Sequence, residues 1–491
     1  MDKKNFSKRL LYIPIILLAI NFIFRLIDQS KIMWNFPLDL VNDGSSQIAQ
    51  LFFLDSCGFH KFCPYWYNGF INFQLTPPGW FFFSYPLSLI LNDYLKTFFI
   101  SSLIIFILAF ITIYKFGIIN NINKTKSILF FFLLFTNAAA IGNYIRLGRI
   151  PELFAFFLFV LFAFIILYYK DRKLDWNFIF IIPIYSLLLL SHQTFAVLAS
   201  LLWVGIFLIK DWKQRKFIFL TVIISLLIDS FWLIPYIVNF FTSAGIILNI
   251  GPNLLSLDRE YLLENLFSII IPIVFLFIFF IYIKKNNYNK KEILFYSPVI
   301  LISFLLLFRV TAFIPILMQI YADVYMGVIL FFAFFIFFKN FKINKIFFIG
   351  ITLLALLSVV INMVHTPLFI KHTQLEKDTL ALLKDVKGKF LVTESYSKTS
   401  YAKAYYSYAP IYLNLSTPSG WYKIPSAAYF NTLREFQNGV TNKDCNIMKE
   451  RAQELNNKYV ISYNKDCEFL SSCNLEKVNM INNVCLYKFI Y

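Results

Sequence analysis

What most limits this chain is a succession of long apolar runs, each near the roughly 20 residues a helix needs to cross lipid. They fall at 10–27, 94–116, 127–142, 151–169, 177–191, 193–209, 217–238, 263–283, 293–308, 322–338 and 346–364, which predicts about eleven transmembrane helices. A chain facing lipid needs apolar side chains on both its inside and its outside, and 59% hydrophobic residues with only 15% charged supply them. Several solvated domains, the ordinary expectation for 491 residues, would need far more charge to cover them. Soluble enzyme classes are excluded on that ground. The first run is too long for a signal-peptide core and lacks a small-residue cleavage site, so it is expected to stay as an anchor.

The formal charge of +18 is read as topology. No Lys/Arg-rich block interleaved with aromatics occurs, so nucleic acid is not an expected partner. With the N-terminus cytoplasmic, the segments 1–9, 115–126, 170–176, 210–216, 284–292 and 339–345 carry 21 Lys and Arg. The opposite segments 28–79, 143–150, 239–262 and 309–321 carry 6, the asymmetry that places the basic loops inside. An odd number of spans then puts residues 366–491 outside a cytoplasmic membrane. All six cysteines fall on that same, oxidising side. Cys57 and Cys63 are expected to staple the first outer loop, and Cys445, Cys467, Cys473 and Cys485 to form two bridges whose pairing stays open.

Two domains follow: a polytopic membrane domain, 1–365, and a small exoplasmic α+β domain, 366–491. In the latter a helical pattern runs from Gln374 to Val386, with strand-like runs at Lys389–Thr393, Lys458–Tyr463 and Val484–Tyr491. Ser426 is placed to cap a further helix, and Ser416 to Trp421 reads as a turn presenting Trp421 and Tyr422. Asn414-Leu-Ser is a glycosylation acceptor pattern on the correct side.

Polar residues gather in three places. The first outer loop, 28–79, carries Asp39, Asp43 and Asp55, then Pro64-Tyr65-Trp66-Tyr67-Asn68-Gly69. An aspartate just beyond the first span suits a base acting on a substrate whose leaving group is anchored in lipid. The second is Asn143-Tyr144-Ile145-Arg146-Leu147-Gly148-Arg149-Ile150-Pro151-Glu152. Two arginines there oppose the charge bias, as phosphate binders would; snorkelling to lipid headgroups is the other reading. Pro151 and Glu152 also suit a helix start. The third is His192, between two apolar runs, a ligand for phosphate or a satisfier of broken-helix backbone. Asp229, Asp323 and Arg309 are ionisable groups in or beside the bilayer, which must pair or face a cavity, and Arg309 with Asp323 is an expected ion pair. Arg259, at the end of the 239–262 loop, is a minor candidate for the site.

The long outer loop with its aspartate, followed by Trp66-x-x-Gly69 and Tyr85-Pro86, resembles the GT-C class of membrane glycosyltransferases. More narrowly it is similar to the prokaryotic membrane proteins labelled 6-pyruvoyl-tetrahydropterin-synthase-related. Asp43, Trp66, Gly69, Arg146, Gly148, Arg149, Pro151, Glu152 and His192 fit that pattern, while Gln47 stands where a histidine is often found. The four scattered histidines offer no three-histidine zinc site, so the pterin label carries no chemistry here.

The resemblance implies a GT-C-like fold and transfer of a sugar from a polyprenyl-phosphate donor to an exoplasmic lipid, glycan or protein acceptor by inverting displacement. Asp43 would be the base. Arg146 and Arg149, with His192 and Arg309, would hold the phosphate, Trp66 and Tyr67 would stack on sugar, and Gln47 and Glu152 would line the substrate site. Oligosaccharyltransferases of this class use a divalent metal held by a second acidic motif, and no such motif is found in the later outer loops, so no cofactor is expected. The alternative is a transporter or flippase of lipid-linked sugars, or a non-catalytic envelope assembly protein; the absence of an internal repeat weakens the transporter.

Overall fold

The computed structural model describes residues 10–38, 43–240, 251–256, 258, 261–369, 371–393, 402–421 and 426–491. Asp39, Arg259 and Tyr422, singled out above, lie outside the described residues. The membrane part comprises α1 (Tyr12–Gln29), α2 (Gly44–Cys57), α3 (Gly79–Leu91), α4 (Tyr94–Ile119), α5 (Lys124–Phe135), α6 (Ile150–Lys170), α7 (Ile181–Ser191), α8 (Gln193–Ile209), α9 (Trp212–Ile228), α10 (Ser230–Phe240), α11 (Leu262–Lys285), α12 (Lys290–Leu307), α13 (Ala322–Asn340) and α14 (Lys345–His365).

Short polar side chains set where these helices begin. Asp93 accepts from the N–H groups of Leu95 and Lys96 to start α4. Asn123, Asp211 and Asn344 do the same for α5, α9 and α14, satisfying donors that lipid cannot.

Among the described residues six helices are long and apolar enough to cross a membrane, α1, α4, α6, α11, α13 and α14, or eight if two bent pairs count as single spans. The expected eleven is therefore too many by this measure. The runs at 177–191 and 193–209 form shorter apolar helices, and 217–238 bends by 73° at Asp229 between α9 and α10. Hydropathy averages over a window and cannot see such a break. The protein is a multi-pass membrane protein nonetheless.

Within the bundle α6 is the central post: 83% of its apolar window is buried, against 33% for α11 and 22% for α14, whose remaining faces suit lipid. Phe164 of α6 meets Phe331 of α13 edge-on at 5.2 Å between ring centres. Phe156 packs on Phe195 of α8 at 5.4 Å. At the far end of α6, Lys170 bonds Glu292 of α12 at 2.6 Å, and the ammonium of Lys210 donates to the carbonyls of Tyr169, Lys170 and Arg172, closing the helix C-terminus.

Past His365 the chain enters a compact α+β unit: α15 (Gln374–Leu383), β3 (Phe390–Val392), α16 (Ala402–Leu413), α17 (Ala427–Thr441), α18 (Cys445–Glu454), β4 (Tyr459–Tyr463), α19 (Lys465–Ser472), β5 (Glu476–Ile481) and β6 (Val484–Lys488). The sheet order is β3-β4-β6-β5, with β3 and β4 parallel and the rest antiparallel. Ser426 caps α17 through the Tyr429 N–H, as expected. Strand β5 was not foreseen: its side chains are mostly exposed, so it lacks the alternation that marks a half-buried strand. The first outer loop adds a small hairpin, β1 (Phe62–Cys63) with β2 (Phe70–Ile71).

All six cysteines are paired: Cys57–Cys63, Cys445–Cys473 and Cys467–Cys485. The last closes a separation of 18 residues, for which chain-entropy loss contributes about 3 kcal/mol. Replacing Cys467 and Cys485 by Ser is expected to cost that much in the tail, measured as a lowered thermal midpoint of purified protein; an unchanged midpoint would refute the staple.

The tail is clamped to the membrane part. Just before the tail, Arg25 ties α1 to α14 within the membrane part, donating from Nε to Asn362 Oδ1 and from Nη2 to the Asn362 carbonyl, both at 2.7 Å. Asp28 accepts from the Phe369 N–H at 2.7 Å. The Trp66 indole donates to the Tyr406 carbonyl at 2.8 Å, and Asn68 to the Leu455 carbonyl at 2.8 Å. The first outer loop thus sits between the bundle and the tail.

Candidate functional site

Asp43 precedes the first turn of α2, and its backbone N–H donates to the Leu147 carbonyl at 2.7 Å. That contact pins the outer loop to the segment before α6. There Ile141–Arg146 forms a π-helical turn, a geometry that recurs at functional sites, and Gly148 reverses the chain at φ +69°, where a side chain would be strained. Pro151 then sets the start of α6 with Glu152 in its first turn.

This geometry aims Arg149 between three carboxylates. Its Nε donates to Asp43 Oδ2 at 3.1 Å, and its Nη1 lies 3.7 Å from Asp323 Oδ2 and 3.9 Å from Glu152 Oε2. The guanidinium also lies over the Tyr321 ring, 5.4 Å from its centre, a cation–π contact. Burial alone would lower the Arg149 pKa, but the fields of Glu152, Asp323 and Asp43 outweigh it and hold the group above its ordinary value. It stays a cation at every working pH.

Asp323, in the first turn of α13, also accepts from Asn143 Nδ2 and from the Val324 N–H at 2.8 Å. Glu264, in the first turn of α11, lies within the fields of Asp323 and Arg149. The site therefore draws on α2, α6, α11 and α13. Side-chain exposure falls from 32% at Asp43 through 14% at Asp323 to 8% at Glu152, so Asp43 is the carboxylate most open to a substrate.

Other expected residues fall elsewhere. Arg146 is buried and donates from Nε to the Pro367 carbonyl at 2.9 Å, beside a cavity of about 10 Å³ lined with Arg25, Asp28, Gln29, Ile145 and Phe369. That volume has room for about one water. Arg309 donates to Ser268 Oγ at 2.6 Å and to the Asn265 carbonyl at 2.8 Å. The expected Arg309–Asp323 pair is corrected: Asp323 faces Arg149, because both stand at helix starts on the same side, while Arg309 turns toward α11.

Trp66 and Tyr67 are 1% and 5% exposed, packed between the outer loop and the tail, and present no open face for sugar. Gln47 is buried one turn after Asp43. His192 occupies the break between α7 and α8, its Nδ1 at 2.6 Å from Thr194 Oγ1. Sequence reasoning did not assign Glu264, Asn143 or Tyr321 a role. The available signal was an acidic residue in the first turn of a span, at Glu264 as at Glu152 and Asp323.

No protein-family model and no curated protein sequence matches the chain, so the narrower likeness to the pterin-synthase-related membrane proteins rests on its motifs alone. Solved structures do match. The oligosaccharyltransferase of Archaeoglobus fulgidus, in a complex with Zn and sulfate, aligns at 12% identity and a TM-score of 0.57 over 91% of this chain and 68% of that one. A second structure of that enzyme, AglB, holds an inhibitory peptide and a dolichol-phosphate. ArnT from Cupriavidus metallidurans aligns at 9% identity and 0.53 over 96% of this chain and 97% of that one. The arabinofuranosyltransferase AftD from Mycobacteria gives 12% and 0.56, covering 96% of this chain and 39% of that one. At such identities the likeness is one of architecture: this chain has the fold of the GT-C membrane glycosyltransferases.

Proposed function

We propose that the protein is a membrane glycosyltransferase that moves a sugar from a polyprenyl-phosphate donor to an exoplasmic lipid, glycan or protein acceptor. The observation that carries this reading is the Asp43–Arg149 pair, set at the tail-side end of a GT-C fold where a half-open carboxylate meets the level of the span ends. The dolichol-phosphate held by one structural neighbour supports a lipid-phosphate donor here by analogy of fold. The distribution of basic loops and of disulfides supports a cytoplasmic N-terminus and an external tail.

In this reading Asp43 accepts the proton of the acceptor hydroxyl through the oxygen Arg149 leaves uncommitted. The acceptor oxygen forms its bond to the anomeric carbon from the face opposite the phosphate. The bond from that carbon to the phosphate oxygen breaks, and polyprenyl phosphate departs with the electron pair. Arg149 holds Asp43 in orientation and opposes the charge growing on the phosphate. His192 is a further donor toward the phosphate; Arg146 and Arg309 support the surrounding backbone. Trp66 and Tyr67 act through the fold, by docking the loop that carries Asp43.

A single displacement inverts the anomeric centre. Product formed by purified protein from a donor of known configuration, resolved by NMR of the anomeric proton, is expected to show inversion. Retention would require a covalent intermediate and would sink the one-carboxylate mechanism.

A further inference from the structure

Metal use is where this site departs from its structural neighbour crystallised with Zn. Hard divalent cations need several oxygen ligands at about 2.0–2.6 Å around one point. Here the point shared by Asp43, Asp323 and Glu152 is filled by the Arg149 guanidinium, 3.1–3.9 Å from each and lying over Tyr321. The remaining lone pairs are partly committed as well: Asp323 accepts from Asn143 and from Val324. Among the described residues no group of three or more His, Cys, Asp and Glu side chains is arranged to hold a metal ion. The donor set as built does not fit a divalent cation, since the point these three carboxylates share already holds the guanidinium.

We infer that Arg149 is a built-in cation, occupying the point that Asp43, Asp323 and Glu152 share and leaving no place there for a divalent ion. It fixes the orientation of Asp43 by a directed hydrogen bond and supplies a permanent positive charge that no chelator removes. A planar guanidinium suits the position because it offers several N–H groups in one plane to separate carboxylates. A lysine would present a compact point charge without the planar fork that directs separate N–H groups. The metal-binding part of this inference stands on geometry; its consequence for turnover rests on the transferase reading above.

Two readouts separate these. Mn²⁺ titration followed by electron paramagnetic resonance, on the purified full chain, is expected to show no site in the wild type that Asp43→Asn removes. Arg149→Ala, which vacates the shared point and leaves the carboxylates, should bind Mn²⁺ at least about tenfold more tightly than wild type, and the Asp43→Asn, Arg149→Ala double variant should lose that gain. Stoichiometric Mn²⁺ binding by the wild type, abolished by Asp43→Asn, would overturn the inference. So would an Arg149→Ala protein that retains its disulfides and a monodisperse profile yet gains no binding. The wild-type titration decides the matter alone where the variant fails to fold. In the sugar-transfer assay, wild-type turnover is expected to change less than twofold with EDTA; its loss, with recovery on adding Mg²⁺ or Mn²⁺, would contradict the inference while leaving the transferase reading intact.

Discussion

Asp43→Asn is expected to lower sugar transfer by about 10²- to 10⁴-fold, the range that a positioned general base contributes, with donor binding changed only a few-fold. The amide keeps nearly the same volume and can still accept from Arg149 Nε, now 3.1 Å from Asp43 Oδ2. It cannot take the proton of the attacking hydroxyl. Asp43→Glu keeps the base but moves it by one methylene, away from the Leu147 carbonyl anchor of its backbone, so intermediate activity is expected. Initial rates with saturating donor, together with a donor-binding isotherm for each variant, check both. Asp43→Asn turning over at the wild-type rate would remove Asp43 from the chemistry.

Trp66→Ala is expected to cost roughly 3–5 kcal/mol of apparent stability, the usual range for deleting a fully buried large aromatic side chain. Trp66 is 1% exposed, meets Phe53 of α2 edge-on at 4.8 Å, and donates its indole N–H to the Tyr406 carbonyl of α16. Truncation leaves a cavity and removes the indole's hydrogen bond to that carbonyl at the seam between outer loop and tail. Trp66→Phe, which keeps one aromatic ring but loses the second ring and the donor, should cost less than Trp66→Ala, about 1–3 kcal/mol. Thermal unfolding in detergent, with protease cleavage at the tail as a second readout, measures both. A Trp66→Ala protein as stable as wild type, with weaker donor affinity alone, would restore the sugar-stacking role expected from sequence.

That reversal shows where sequence reading stops. Local patterns sufficed for what is local: apolar run length for α1, α4, α6, α11, α13 and α14, and the cap at Ser426. They also singled out Asp43 and Arg149 separately, one for its place after the first span and the other for breaking the charge bias. The structure joins them across 106 residues of chain. Trp66 looked like an exposed recognition residue because its cover, Tyr406, comes 340 residues later. Arg309 was matched to Asp323 by proximity in sequence, whereas Asp323 finds Asn143, 180 residues earlier. Glu264 was overlooked beside the denser cluster at 258–260. A break such as that at Asp229, with its 73° bend, leaves mean hydropathy unchanged and so is not legible in the sequence.

The central claim is chemistry at the tail-side end of the bundle. It is tested most directly by following one labelled polyprenyl-phosphate sugar through vesicles that contain the purified protein. The sugar label should leave the lipid while polyprenyl phosphate accumulates in equal amount, and Asp43→Asn vesicles should do neither. Label that stays on its lipid but crosses to the other leaflet, equally in wild type and Asp43→Asn, would contradict the account and identify a flippase in its place.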